Sequence, residues 1–203
     1  YPVPSSVNGT KATFNLPAVQ DGKASGGADI MIATPVEHGP LAPVPDPEDH
    51  SGMSLRMNRM MHQFRFWVPS ADTRLNGEGI ERIMFTFPSP VAGEVTVDLS
   101  DPASSPVLSG TQADMTLMLS DRLYRSDSDA SPQYACLAFV PTSFKAGQTL
   151  SLKAYTDSKV VLFDPIDLRG RTFLPGHSTP VKLKVADLKE LGRFRFTVSA
   201  NNL

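Results

Sequence analysis

Eighteen of the 203 residues are proline, nearly twice the ordinary share of ~5%. Proline holds φ near about −65° and has no N–H to donate, so it disrupts helix interiors and the ladders of central strands. Prolines spread this widely between apolar stretches argue against helix bundles and α/β layers. They predict short strands joined by turns and open loops. Pro35, Pro40, Pro43, Pro45 and Pro47 crowd residues 35–52, which predicts an extended linker or long loop. Pro17, Pro88, Pro90, Pro141 and Pro175 punctuate apolar runs elsewhere. With 40% hydrophobic and 20% charged residues the chain is globular rather than disordered. At this length about 70% of the unfolded surface is expected to be buried.

The apolar runs follow period two, the spacing of a strand with one buried face. Residues 12–16 (ATFNL), 28–33 (ADIMIA), 80–87 (IERIMFTF) and 94–99 (EVTVDL) are expected strands. So are 113–119, with Ala113, Met115, Leu117 and Leu119 inward, and 172–174, 181–185 and 193–198. Residues 134–140 (YACLAFV) are nearly all apolar, which predicts a central strand covered on both faces. Residues 150–155 and 160–163 are expected to form a hairpin around Asp157 and Ser158. Residues 185–191 (VADLKEL) suit one or two helical turns. The strongest strand signal runs over 53–68, MSLRMNRMMHQFRFWV. Leu55 and Met57 place its apolar face on odd positions, whereas Phe64, Phe66 and Val68 place it on even ones. That parity shift predicts a bulge, or a crossover to another sheet, between Asn58 and Met61. The pattern as a whole predicts an all-β, antiparallel two-layer β-sandwich over residues 53–203. Residues 1–52 are expected to be an N-terminal arm, or the remnant of a preceding β-domain, lying against it.

Little in the sequence points to catalysis. With 19 Lys+Arg against 21 Asp+Glu the chain has no cationic footprint for nucleic acid. A single Cys136, inside an apolar strand, cannot form an internal disulfide or a thiolate zinc site and is expected to be an inert core thiol. His38, His50, His62 and His177 lack metal-ligand spacing. The acidic groups Asp46, Glu48 and Asp49 beside His50, and Asp127 with Asp129, are expected to be solvated loops. No nucleophile elbow or phosphate-binding glycine loop occurs, and Gly26 and Gly27 precede a strand. No residue is therefore assigned a catalytic, cofactor-binding or metal-ligating role. Arg56, Arg59, Arg65, Arg193 and Arg195 are expected to face solvent or blunt strand edges. Trp67 is expected on the face opposite Phe66, either packed or exposed as a sugar-stacking platform. Residues 8–10 (NGT) match the N-glycosylation pattern. No apolar run is long enough to span a membrane as a helix. Both ends, at Tyr1 and just after residues 194–198 (FRFTV), are expected to be cut from something longer.

An ordered series of segments resembles the fimbrillin family of Bacteroidetes, the type V pilins and their relatives. Residues 14–21 (FNLPAVQD) look like the family's strand and Gln-containing turn at the end of its N-terminal domain. Residues 29–33 (DIMIA) resemble its short segment of Asp, apolar residues and Ala. Leu55, Met57 and Arg59 with Phe64 and Phe66 resemble the strand opening the second domain, where many members have His in place of Arg59. Residues 80–87 with 91–93, 137–141, 150–152 and 173–185 resemble the later strands. The final stretch departs from the family: it carries Arg193 and Arg195 and no Trp. Against the family's pattern, the chain is expected to lack most of the N-terminal domain and the lipoprotein Cys. The resemblance implies a transthyretin-like Greek-key β-sandwich exported to the cell surface. It implies a non-enzymatic pilus subunit, tip protein or adhesin at the outer membrane or fimbrium. Its partners would be other pilus subunits, bound by β-strand addition, and host or bacterial surface ligands. The alternative is a surface carbohydrate-binding module, which a cleft with exposed aromatics would favour. A continuous apolar groove beside a sheet edge would favour the first reading.

Overall fold

The computed structural model describes residues 2–35, 55–101 and 103–192. Its strands in the first half are β1 (Ser6–Asn8), β2 (Lys11–Leu16), β3 (Val19–Gln20), β4 (Met31–Pro35), β5 (Leu55–Arg59), β6 (His62–Trp67), β7 (Ile80–Thr86), β8 (Gly93–Asp98) and β9 (Val107–Leu108). The second half adds β10 (Asp114–Leu123), β11 (Ala135–Phe139), β12 (Thr142–Ser143), β13 (Thr149–Tyr155), β14 (Lys159–Phe163), β15 (Ile166–Asp167), β16 (Thr172–Phe173), β17 (Ser178–Lys182) and β18 (Val185–Glu190). No helix occurs among the described residues. The largest sheet runs β18-β14-β13-β7-β10-β3, with β15 paired to β13. A three-stranded sheet, β11-β6-β17, and a four-stranded sheet, β1-β2-β8-β9, accompany it, with the pairs β4-β5 and β12-β16.

Aromatic rings join the layers. Phe66 on β6 meets Phe85 on β7 with centroids 4.8 Å apart. Phe64 on β6 lies 4.7 Å from Phe139 on β11 and 5.1 Å from Phe173 on β16. Phe87, just past β7, is 5.5 Å from Phe139. All are buried, with Ile83, Leu117, Leu150 and Val161 filling the space around them. The same core continues into the four-stranded sheet through Ala12, Phe14, Leu16, Val95 and Val97. Offset and edge-on ring pairs of this kind add about 0.5–1.5 kcal/mol each beyond the burial of their surface. The result is a sandwich-like all-β core.

Two ladders depart from the antiparallel expectation. β3 runs parallel to β10, and β17 runs parallel to β6. A parallel neighbour needs a long crossover. The chain between β6 and β17 supplies one, because it builds most of the large sheet before returning. A second departure is at residues 185–191, which form β18 rather than helical turns and pair antiparallel with β14. A helix of one or two turns is marginal in isolation, whereas an edge ladder satisfies the same backbone groups against an existing strand. β11 is buried along its whole length, as expected, yet it ends its ladder rather than sitting in the middle.

The parity shift near Asn58 marks a change of sheet. β5 pairs with β4, and β6 pairs with β11 and β17. Between them Met60 and Met61 are both fully buried. The Met60 N–H donates to the Ile30 carbonyl at 2.8 Å, and the Met61 carbonyl accepts from the Gly176 N–H at 3.1 Å. Adjacent residues thus hand the chain from one set of partners to another, and the alternation resets by one residue. Met57, expected inward, is 49% exposed.

The β13–β14 hairpin forms where expected. Its turn is fastened to the loop before β7. Glu78 accepts hydrogen bonds from the Thr156 hydroxyl, the Ser158 hydroxyl at 2.7 Å and the Lys159 ammonium. The Lys159 ammonium is the largest of several donors that lower the Glu78 pKa from 4.5 to about 2. A carboxylate depressed in the folded state stabilises it above the unfolded pKa and loses that contribution as pH falls. The thermal midpoint of the protein should therefore fall between pH 4.5 and about pH 2. Glu78→Gln should flatten that part of the profile, as followed by circular dichroism melts across pH.

Candidate interaction surfaces

The outer edge of β11 would be exposed were it not for residues 17–25. After β2, the chain crosses from the four-stranded sheet and lays Gln20 against β11. The Gln20 side-chain amide accepts from the Ala138 N–H at 2.9 Å and donates to the Ala138 carbonyl at 2.8 Å. The Cys136 N–H donates to the Gly22 carbonyl at 2.8 Å. One amide side chain and one carbonyl thus stand in for a missing strand. Gly22 has φ +81°, and a Cβ there would lie 2.3 Å from Leu119 Cδ2, so this position requires glycine. Farther on, the Gln63 side chain donates to the Ala24 carbonyl at 2.7 Å and fixes the arm over the outer face of β6.

The arm, β6 and β11 enclose a cleft of about 620 Å³. Arg59, Gln63, Arg65, Tyr134, Cys136 and Ser178 line it, with Lys23 and Asp21 on the arm and Asp121 on the opposite wall. Arg59 is held from behind by Asp29, which is 1% exposed and accepts from Arg59 Nε at 2.9 Å. Burial raises the Asp29 pKa, and the hydrogen bond and charge of Arg59 oppose it. Two segments separated in the sequence, residues 29–33 and Arg59, therefore meet in one ion pair. The Arg65 guanidinium carbon lies over the Tyr134 ring, 4.0 Å from its centroid. Cys136 is buried, and desolvation pushes its thiol pKa up, as expected of an inert thiol.

A second feature is the outer edge of β17. Among the described residues no strand pairs with it. Gln63 N–H donates to the His177 carbonyl and Leu183 N–H to the Trp67 carbonyl, so odd-numbered residues of this stretch face β6. Pro180 falls on the outward set, where its missing N–H costs nothing to the existing ladder. Beside this edge lies a groove of about 320 Å³. Phe64, Phe173, Leu168 and Val181 form its apolar floor, and Arg169, Arg171 and Lys182 its rim.

Other expected features distribute as follows. His62 is buried, its Nδ1 donating to the Leu174 carbonyl and its Nε2 accepting from the Thr179 hydroxyl, both at 2.9 Å. Burial lowers its pKa. His177 is exposed, with Nδ1 2.8 Å from the Pro175 carbonyl. Trp67 is half-buried, with the Lys182 ammonium 5.2 Å from its ring centre. Asp129 accepts from the Ser70 N–H at 2.8 Å and so ties two loops together. Asn8 ends β1 at an exposed hairpin. His38, His50, Asp46, Glu48, Asp49, Arg193 and Arg195 lie outside the described residues. Among the described residues no His, Cys, Asp and Glu gather as a metal site, and no helix is long and apolar enough to cross a membrane. The sequence reading missed Lys23, Gln63 and Tyr134 as cleft residues. The one available signal was Gln63, a polar residue beside the apolar face of β6.

The fold is that of a sandwich-like all-β protein. No family model matches the chain, and no curated protein matches it. Among solved structures it resembles a protein of Bacteroides uniformis ATCC 8492 whose name assigns it, provisionally, to cell adhesion. The TM-score is 0.52 at 14% identity, covering 94% of this chain and 70% of that one. This likeness is one of fold.

Gln20→Ala should lower the unfolding free energy by about 2–3 kcal/mol, because it removes two buried hydrogen bonds and strands the Ala138 N–H and carbonyl. Gln20→Glu, which keeps the shape but cannot donate to the Ala138 carbonyl, should also destabilise. Urea unfolding of the three proteins measures both effects.

Proposed function

We propose that the protein is a non-enzymatic, fimbrillin-like cell-surface protein, a pilus subunit, tip protein or adhesin that joins its neighbours by β-strand addition. The observation that carries this reading is the free outer edge of β17 beside an apolar groove. An added strand would take backbone hydrogen bonds from the edge and send alternate side chains onto the floor of Phe64, Phe173 and Val181. In this reading residues 1–52 are an arm laid on the body at 53–203, and the body has the transthyretin-like Greek-key order. The fold likeness to a Bacteroides protein named for adhesion supports a location at the cell surface; the outer membrane or fimbrium is the place the fimbrillin-like reading gives it. The near-neutral charge fits packing against other subunits and offers nothing to nucleic acid.

Protein taken from the surface of its own cells should run as a ladder of multimers in SDS and collapse to monomer on boiling. In hydrogen exchange, the Ser178 and Lys182 amides should be fast in isolated monomer and protected in the assembled form. Ile166→Asp, at the groove wall, should abolish the ladder; because Ile166 also packs partly against the core, the comparison is made below the variant's own, lower melting point, where circular dichroism shows it folded. A monomer-only pattern from intact cells, with no protection at β17, sinks the reading.

A further inference from the structure

The cleft on the outer face of the β11-β6-β17 sheet is built for a different purpose from the β17 groove. We propose that it binds a carboxylate-bearing saccharide.

Its cations are positioned rather than merely present. Asp29 fixes Arg59 through Nε from a site with 1% exposure. The Tyr134 ring supports the Arg65 guanidinium, whose central carbon is 4.0 Å from the ring centroid. A guanidinium held over a ring by cation–π attraction loses less further freedom when a carboxylate arrives. Lys23 stands on the arm across the cleft. Among the described residues neither Arg65 nor Lys23 forms an ion pair. Asp21 is turned toward its own loop, where it accepts the Lys23 N–H at 3.0 Å. Arg59 and Arg65 thus line one cleft with Gln63 and Cys136; the charge of Arg59 is already matched by Asp29, and Arg65 is left for a ligand.

The remainder of the lining suits hydroxyls. Ser25, Ser120 and Ser178 offer groups that donate and accept, and the Asp121 carboxylate accepts from sugar hydroxyls. The volume of about 620 Å³ falls in the range of small-ligand sites and exceeds what one monosaccharide fills.

An acidic peptide has matching charge but meets a closed edge. Extended peptides gain most of their binding from a strand's free N–H and carbonyl groups. Here the Ala138 groups are taken by Gln20, and the Cys136 N–H by the Gly22 carbonyl. A saccharide needs no ladder, only convergent side chains.

The test is calorimetric titration of the whole chain with trigalacturonate, neutral galactotriose and hexa-aspartate. Trigalacturonate should bind, with the other two weaker by roughly tenfold or more. Arg65→Gln, which removes the charge, and Ser178→Trp, which fills the cleft from an exposed strand position, should each weaken trigalacturonate by roughly tenfold or more. Both should keep the wild-type circular dichroism spectrum. If Arg65→Gln fails to fold, Ser178→Trp still decides. The proposal is overturned by any one of three results: no trigalacturonate binding at millimolar concentration, equal binding of galactotriose or hexa-aspartate, or unchanged affinity in the folded variants. None of these results depends on whether the protein polymerises through β17.

Discussion

The two hydrogen bonds between the Gln20 amide and Ala138 hold together parts that would otherwise drift apart. β11 carries Leu137 and Phe139 into the aromatic core, and its outer edge would otherwise expose backbone groups to water or to another chain. A side-chain amide has the same donor and acceptor as a peptide unit, so it caps one residue of an edge without adding a strand. Because the amide sits on the arm, the arm is drawn across the outer face of β6. The cleft exists only because of that placement: one of its walls is the arm that closes the edge. Edge protection and site construction are thus one event.

Edges elsewhere are treated differently. β18 ends the large sheet with Asp187, Lys189 and Glu190, charges that discourage pairing with another chain. β17 carries Pro180 on its outward set, a partial block that removes one donor and leaves the neighbouring positions available. β17 is also the edge with apolar side chains of the core beside it. A sheet edge becomes a docking place when backbone groups and an apolar floor occur together, and that combination separates β17 from β18.

Much of the fold was legible in the chain. Residues 80–87, 94–99, 113–119 and 150–163 form strands near the positions their period-two patterns predict, because alternation is a local property of the polypeptide. The reset at Met60 and Met61 was legible for the same reason: a strand cannot move its apolar face by one position without losing its register. The six-residue β18 was not legible, since Ala, Leu, Lys and Glu favour helix and only the neighbouring β14 makes a strand preferable. The parallel ladders of β3 and β17 were not legible either, because the direction of a pairing is set by the path between strands and not by the residues within them.

What the sequence determined by itself was the class: an all-β chain, punctuated by proline, with a lone inert thiol and no electrostatic reason to bind nucleic acid. Those properties follow from composition and from neighbours a few residues apart. Tertiary structure alone decided the surfaces. It joined Asp29 to Arg59 and Arg65 to Tyr134, closed one sheet edge with Gln20, and left another open beside Phe64 and Phe173. Each of these depends on residues far apart in the chain arriving together. No local pattern encodes that arrival, because its free energy comes from burying a shared core and not from the segments themselves.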